Sequence, residues 1–584
     1  MVVLAAAGLF TLYWRQSQSL PVSSDGASNV LQAWAMLHGN LGLHSWHVSD
    51  VSFWTTELPQ YALIEAVGGL GAWVVHVGAA MTYALLVLLA ALLAWGGRPP
   101  LNPPRSRGGS SPPRTPLART PLARALLAAG IMLAPQLSAT QILLLSPDHT
   151  GTAAPVLVTW LIIDRVTPDR WKAARWVVPV ALFIVMTWTM IADSIVLITC
   201  IAPLVLVCAV RAVPAAIWRA ARSRARLTQR WYELSLAGAA AAAGGLGSAA
   251  PRVIAALGGY RQGPVETETA VAGLRHQAWV TLQGVLELFG ANVFDARPAI
   301  ETVFVALHLV GAVVVICALG VGLSRLFRDT ELLVPVFAVA ILVNVAAYMF
   351  SLHAVDILGA REIAAVLPLG AVLAGRVMAG PLLAPLGRAS SWMLLALGVV
   401  AGGYLGTLAY GAAQPSAPPA NQPLAVWLVA HGLTDGLAGY WQANSTTLAS
   451  GARVRVCGVT EAPDGKLVPY EWETDDANYN PSLHDANFVV ADGPAALPFA
   501  QSAALRTFGP PQRTYRYRGY LIMVWDTNLL RLLGHPGIVL SGGFGGVWGG
   551  SPPEETLCDP YMLKIWCPAA TSRAGTAQAT IGPR

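Results

Sequence analysis

Asp25 follows the first apolar segment, residues 2–14, by about ten residues, which sets its carboxylate at a bilayer surface and not deep in lipid. At that level a carboxylate can take a proton from an alcohol and still meet a lipid headgroup. The same residue has a second reading. Ser23, Ser24 and Asp25 precede a helix-like run over 27–37, the pattern of a helix N-cap. Both readings stand at this point. Further along the same polar and aromatic stretch, Arg15 to Gln60, Asp50 and Glu57 flank Phe53 and Trp54. They form an acidic pair that binds sugar hydroxyls or orders the loop. His38, His44 and His47 have the spacing to converge on Zn²⁺ or to act with tryptophan as interfacial anchors. Neither HxxxH nor HExxH occurs, and no metal site is expected.

Three later stretches carry chemistry. Residues 146–152, SPDHTGT, set Asp148 beside His149, an acid and an imidazole in one tight turn; turn formation by Pro147 and Asp148 is the alternative. Asp193 tips a short hairpin between apolar runs and must face water or protein, because a carboxylate is costly in lipid. Arg361, followed by Glu362, presents a guanidinium suited to bidentate phosphate binding; snorkelling or an ion pair with Asp356 is the other option. Tyr440 and Trp441 stack on a sugar or pack in a core, and Asn444-Ser445-Thr446 fits a glycosylation triplet. There is no GxxxxGK[ST] loop, GxSxG elbow, CxxC pair or Rossmann fingerprint, so ATP hydrolysis, serine hydrolysis and nucleotide redox chemistry lack support.

The elements that must position these residues are membrane helices. Of 584 residues, 55% are hydrophobic and 12% charged, against roughly a quarter charged in soluble domains. Hydropathy gives about eleven spans, near 2–14, 66–95, 125–145, 151–163, 176–192, 194–210, 234–258, 301–323, 331–350, 363–380 and 391–411. The first is expected to be an anchoring helix. With the N-terminus inside, five cytoplasmic loops hold twenty Lys or Arg and the outer loops before residue 412 hold five, which sets the topology. The net charge of +6 lies in these loops and points to no nucleic acid. Glu266, Glu268, Arg275, His276, Trp279, Glu287 and Asp295 fall in partly amphipathic spacing, as in helices lying along the bilayer.

The expected organisation is a transmembrane domain over 1–411, with outer loop 15–60 and a disordered cytoplasmic linker over 96–124, then an extracytoplasmic α/β domain over 412–534 and a flexible tail over 535–584. In the α/β domain a helix is expected over 424–448, strands over 453–459, 487–491 and 515–525, and a helix near 495–505. Cys558 and Cys567 are a possible disulfide.

The inside N-terminus, eleven spans, acidic first outer loop, second acidic turn, arginine-bearing late loop and outer α/β domain resemble the GT-C glycosyltransferases. Within them the chain looks closest to polyprenyl-phosphate-sugar-dependent enzymes related to protein mannosyltransferases and aminoarabinose transferases. The resemblance implies that Asp25 is the catalytic base, although many members carry Asp-Glu where this chain has Asp25-Gly26. It implies that Arg361, ahead of Glu362 and Pro368, meets the donor phosphate, with Asp148, His149, Asp50 and Glu57 as further substrate-binding candidates. The implied reaction is inverting transfer from a lipid-linked sugar to a glycan or protein acceptor in the plasma membrane. It requires no cofactor beyond the donor, divalent metal being left open. A transporter or flippase of lipid-linked sugars, with Arg252 as its one charge within a span, and a non-catalytic envelope scaffold are the alternatives.

Overall fold

The computed structural model describes residues 2–96, 121–168, 171–217, 224–264, 273–294, 300–326, 331–383, 391–491 and 501–534. Residues 97–120 of the expected linker, Glu266, Glu268, Asp295, the tail and the Cys558–Cys567 pairing lie outside the described residues, whereas residues 121–124, expected as the end of that linker, are already helical. The chain is mostly helical, with a small sheet region towards the C-terminus.

The helical part runs α1 (Val2–Ser17), α2 (Ser24–Leu37), strand β1 (Trp46–Val48), α3 (Glu57–Gly68), α4 (Trp73–Trp95), α5 (Pro121–Met132), α6 (Thr140–Leu143), α7 (Thr150–Arg165), α8 (Ala174–Ala192), α9 (Ala202–Ile217), α10 (Arg224–Ala256), strand β2 (Arg261–Gln262), α11 (Leu274–Leu288), α12 (Ile300–Ser324), α13 (Leu333–Met349), α14 (Val366–Leu383) and α15 (Ser391–Ala412). Each of the eleven apolar segments contains a helix. Among the described residues, however, only α4, α8, α12 and the part of α15 from Leu395 are long and apolar enough to cross a membrane unaided. A fifth results if the 3-10 turn Ile357–Ile363 and α14, bent by 59°, count as one span.

The count falls short of eleven because several helices are too short, α1, α7 and α9 having 16 residues each and α13 17, and because one segment is broken. The segment expected over 125–145 is interrupted around Pro135, which has no N–H to continue a helix. The carbonyls released there are taken by side chains of other helices: Tyr13 Oη lies 2.7 Å from the Leu133 oxygen, Gln16 Nε2 2.9 Å from that of Pro135, and a His308 ring nitrogen 2.9 Å from that of Ala134. A broken helix survives in an apolar bundle only with such partners.

Two ends of the bundle can be told apart. At one, Ser17 Oγ joins the close of α1 to the start of α4 through His76 Nδ1 at 2.9 Å, and to the Leu144 carbonyl after α6 at 2.7 Å. At the other, Arg165 Nη2 reaches the Leu92 carbonyl at 2.8 Å, and Arg376 Nη2 lies 2.7 Å from Asp164 Oδ1. Gly375 lets α14 approach there, since a Cβ would stand 2.6 Å from the Arg124 carbonyl oxygen. Asp25, Asp148 and Arg361 belong to the first end.

The C-terminal region contains α16 (Gln422–Ala430), β3 (Asp435–Ala438), α17 (Tyr440–Ala449), β4 (Arg455–Glu461), β5 (Leu467–Pro469), β6 (Thr474–Asp475), β7 (Phe488–Ala491), α18 (Gln501–Phe508), β8 (Arg513–Tyr517) and β9 (Tyr520–Val524). Six strands form one sheet in the order β5-β4-β3-β7-β9-β8, with β3 parallel to both neighbours. The helix expected over 424–448 is in fact two helices separated by β3. Gly432 takes the left-handed conformation (φ 68) after α16, and Leu437 and Ala438 are buried in the sheet. A second sheet, β2-β1-β6, joins three segments remote in sequence: His47 pairs with Arg261 in parallel and with Thr474 antiparallel. It fastens the first long loop to the C-terminal domain.

Candidate functional site

Asp25 lies in the first turn of α2, but it is not the cap. Ser23 is extended there and its hydroxyl accepts the Gly26 N–H at 3.2 Å, so the carboxylate is free for other work. Its Oδ2 is 3.3 Å from Arg361 Nη1. Asp356 does not pair with Arg361; it caps the 3-10 turn, accepting from the Gly359 N–H at 3.1 Å. The Arg361 side chain is 44% exposed and that of Asp25 19%, so this ion pair faces an opening. The surrounding protein desolvates the guanidinium in part, but Asp25, Glu362 and Asp148 outweigh that effect and raise its pKa, holding it charged.

The other Asp25 oxygen, Oδ1, accepts from the Tyr440 hydroxyl, which also meets Glu473 Oε2. Both residues come from the C-terminal domain. Ser24 Oγ on the Tyr440 carbonyl (2.7 Å) and Ser28 Oγ on the Glu473 carbonyl (3.2 Å) dock α2 against that domain. Glu473 is buried, and its carboxyl is pushed well above the usual range by burial first and by Asp25 second.

Asn29, one helical turn after Asp25, donates from Nδ2 to Asp148 Oδ1 at 3.0 Å, and Ser146 Oγ donates to Oδ2 at 2.6 Å. Burial raises the Asp148 pKa, Asp25 adds to this, and Ser146, Arg361 and His149 oppose it. The neighbouring His149 points elsewhere. It adopts the left-handed conformation (φ 55), which turns Nδ1 to within 2.8 Å of Asp193 Oδ2 and Nε2 to within 3.3 Å of Glu362 Oε1. Burial alone would discharge the ring, but Glu362 and Asp193 outweigh it and hold the imidazole pKa well above its ordinary value. Burial would likewise raise Glu362, yet His149 prevails and brings it to about 2. Thr152 Oγ1 (2.8 Å) and the Ile195 N–H (2.9 Å) complete the contacts of Asp193, so this charge faces protein. Glu362 adjoins Arg361 in sequence, so the imidazolium also fixes the turn that presents the guanidinium.

The remaining candidates stand around this centre. Asp50 is raised to about 6 by burial and by Glu362, against His149 and His353. Glu57 is 1% exposed, contacts Thr56 and, at 3.5 Å, Thr152 Oγ1, and is raised to about 8 by burial. It is a framework acid of the loop and does not line the opening. The three histidines do not converge: His38 Nδ1 meets the Trp34 carbonyl at 2.8 Å, His44 the Gly258 carbonyl, and His47 Nε2 lies 2.9 Å from Asp476 Oδ2. His47, Glu471 and Asp476 gather their ligand atoms within 4.8 Å, but Arg261 stands 3.9 Å from Asp476 and already brings positive charge. Arg252 is exposed near the end of α10 and is no mid-span charge. Asn444 Nδ2 is engaged with the Glu473 carbonyl at 2.9 Å, which disfavours it as a glycosylation acceptor. Glu287 is buried beside Ser138 and Asn292 and not laid on a surface.

Sequence reasoning missed Glu473 and the hydroxyl of Tyr440. The acid-rich run Glu471, Glu473, Asp475 and Asp476 was the only available signal. No protein-family model matches the chain and no curated protein matches it significantly, so the functional reading rests on the geometry of this site.

Proposed function

We propose that the chain is a membrane glycosyltransferase of the GT-C type, moving a sugar from a polyprenyl phosphate to an acceptor hydroxyl with inversion. The observation that carries this reading is the Asp25–Arg361 pair, 3.3 Å apart and open on one side, at one end of an apolar helical bundle. A guanidinium binds a carboxylate and a phosphate through the same fork. The donor phosphate takes the place of Asp25 at Arg361, and Oδ2 is released to face the acceptor.

Asp25 then accepts the acceptor hydroxyl proton while that oxygen attacks the anomeric carbon. The bond from that carbon to the phosphate oxygen breaks, and its electron pair leaves with the polyprenyl phosphate. Arg361 offsets the charge that grows on the leaving phosphate. Asp148, held by Asn29 and Ser146, is placed to take an acceptor hydroxyl. His149 secures the Arg361 turn through Glu362 and does not itself bind donor. The eleven apolar helices run as spans, those too short alone being completed by their neighbours, with the N-terminus cytoplasmic and the α/β domain extracytoplasmic.

One observation favours a transporter of lipid-linked sugars instead: the 59° break directly after Arg361, since interrupted helices mark transport sites. Mass analysis of cell-envelope glycans after deletion separates the two. Loss of one linkage is expected for the transferase, whereas loss of a whole polymer would replace it with the transporter. Transfer by the purified chain from a polyprenyl-phosphate sugar, abolished in Asp25→Ala, is the direct test.

A further inference from the structure

The Tyr440 hydroxyl carries one proton and meets two carboxyl groups, Asp25 Oδ1 and Glu473 Oε2. It donates to one of them only. The second contact is a hydrogen bond only if that carboxyl brings its own proton and donates back to the phenol oxygen. Arg361 pairs with Asp25 at 3.3 Å, so the cation of this cluster stands beside Asp25 and not beside Glu473. Glu473 is 4% exposed and has no cation at ion-pair distance among the described residues. The groups facing it are Asp25 from α2, Asp148 from the turn before α7, Arg361 from the 3-10 turn, Tyr440 from α17 and Tyr470 from the segment after β5. Two of these are carboxylates, and the one cation is already held by Asp25. The backbone of Glu473 is also in the left-handed region (φ 47), a conformation costly for a residue with a Cβ. Ser28 Oγ and Asn444 Nδ2 both donate to its backbone carbonyl, at 3.2 and 2.9 Å, and hold the backbone in that conformation.

We propose that Glu473 is a protonated carboxylic acid in the working protein and that it positions the base through Tyr440, in the order Glu473 O–H to Tyr440 Oη and Tyr440 O–H to Asp25 Oδ1. The C-terminal domain thereby supplies two positioning residues to a site whose other members come from the bundle. Their role in transfer rests on the reading of Asp25 as base; the proton on Glu473 does not. Holding Oδ1 leaves Oδ2 as the one oxygen that exchanges Arg361 for the acceptor. When pH rises through the Glu473 pKa the proton is lost, two anions face one hydroxyl, and the contact between α2 and α17 loosens.

The test uses the full chain in nanodiscs, as wild type, E473Q and Y440F. The side-chain amide of E473Q presents an N–H in place of the acid O–H at every pH. In infrared spectra the wild type is expected to show a carboxylic-acid C=O band near neutral pH that is absent from E473Q and titrates away at alkaline pH. If E473Q fails to insert, Glu473→Asp shifts the same band and serves instead. In transfer assays E473Q is expected to lack the alkaline fall of the wild type, because its amide N–H does not titrate. Y440F should lower kcat by on the order of tenfold, about 1.4 kcal/mol, with donor KM unchanged. Identical neutral-pH spectra for wild type and E473Q overturn the proposal, as does an unaltered alkaline limb in E473Q. If the band behaves as expected but D25N transfers normally, the proton on Glu473 stands and the assignment of the base fails.

Discussion

Replacing Asp25 by asparagine separates chemistry from stability. The amide of D25N keeps an oxygen for the Tyr440 hydroxyl and the shape of the side chain, and it loses the carboxylate proposed as the base. A positioned base supplies about 10²- to 10⁴-fold in rate, and at 1.36 kcal/mol per tenfold that is ~2.7 to ~5.4 kcal/mol of barrier. The fold loses far less. Arg361 is 44% exposed and remains solvated once its partner is neutral, so the ion pair contributes about 1 kcal/mol or less to stability. The two magnitudes do not overlap, so a crippled D25N cannot be explained by unfolding. Donor affinity should hold or improve, because the phosphate no longer competes with a carboxylate for Arg361. Single-turnover transfer from a radiolabelled polyprenyl-phosphate sugar, donor binding and chemical denaturation on the same nanodisc sample give all three numbers. Turnover of D25N within threefold of wild type, or donor binding lost together with turnover, would refute the reasoning.

Three further outcomes follow from the same contacts. His149→Leu leaves Asp193 and Glu362 without their shared cation and should cost ~3–5 kcal/mol in denaturation. The folded imidazole pKa lies above the ~6.5 of the unfolded chain, so the stabilisation by His149 is complete below that pH and is lost as pH rises through the folded value. The gap between wild type and H149L should therefore narrow on going from pH 6 to alkaline buffer; a constant gap would mean that the ring is neutral. Glu57, about 8 when folded against ~4.3 unfolded, favours the folded state only while protonated. Its contribution is full below ~4.3 and is lost as pH climbs to about 8. Glu57→Gln should remove that part of the pH dependence of thermal unfolding and leave transfer intact. Ser23→Ala removes the cap of α2 and should cost ~1 kcal/mol. Amide exchange in the first turn of α2 should quicken, and kcat should fall more than donor KM.

How much was legible in the sequence varied with the range of the interaction. Apolar runs are a local property, so each of the eleven segments contains a helix, and β4, β7, β8 and β9 fall on the β-rich runs. Local reading failed where neighbours complete an element: Pro135 breaks a run whose freed carbonyls are taken by α1 and α12, and β3 is a strand because β4 and β7 lie on either side of it. Residue type marked Asp25, Asp148, His149 and Arg361 as chemically able, and it left cap or base, turn or site, and ion pair or phosphate ligand undecided. Tertiary structure decided among these by partner. Ser23 took the cap, Asp356 took its own turn, and Arg361 turned to Asp25 across 336 positions of chain. Tyr440 lies 415 positions from Asp25, and Glu473 further still, in a domain fastened to the first loop by β1, β2 and β6. A charge and its partner leave no shared pattern in sequence when folding alone brings them together, and the composition of the chain therefore determined an apolar helical bundle while its packing determined which carboxylate faces which cation.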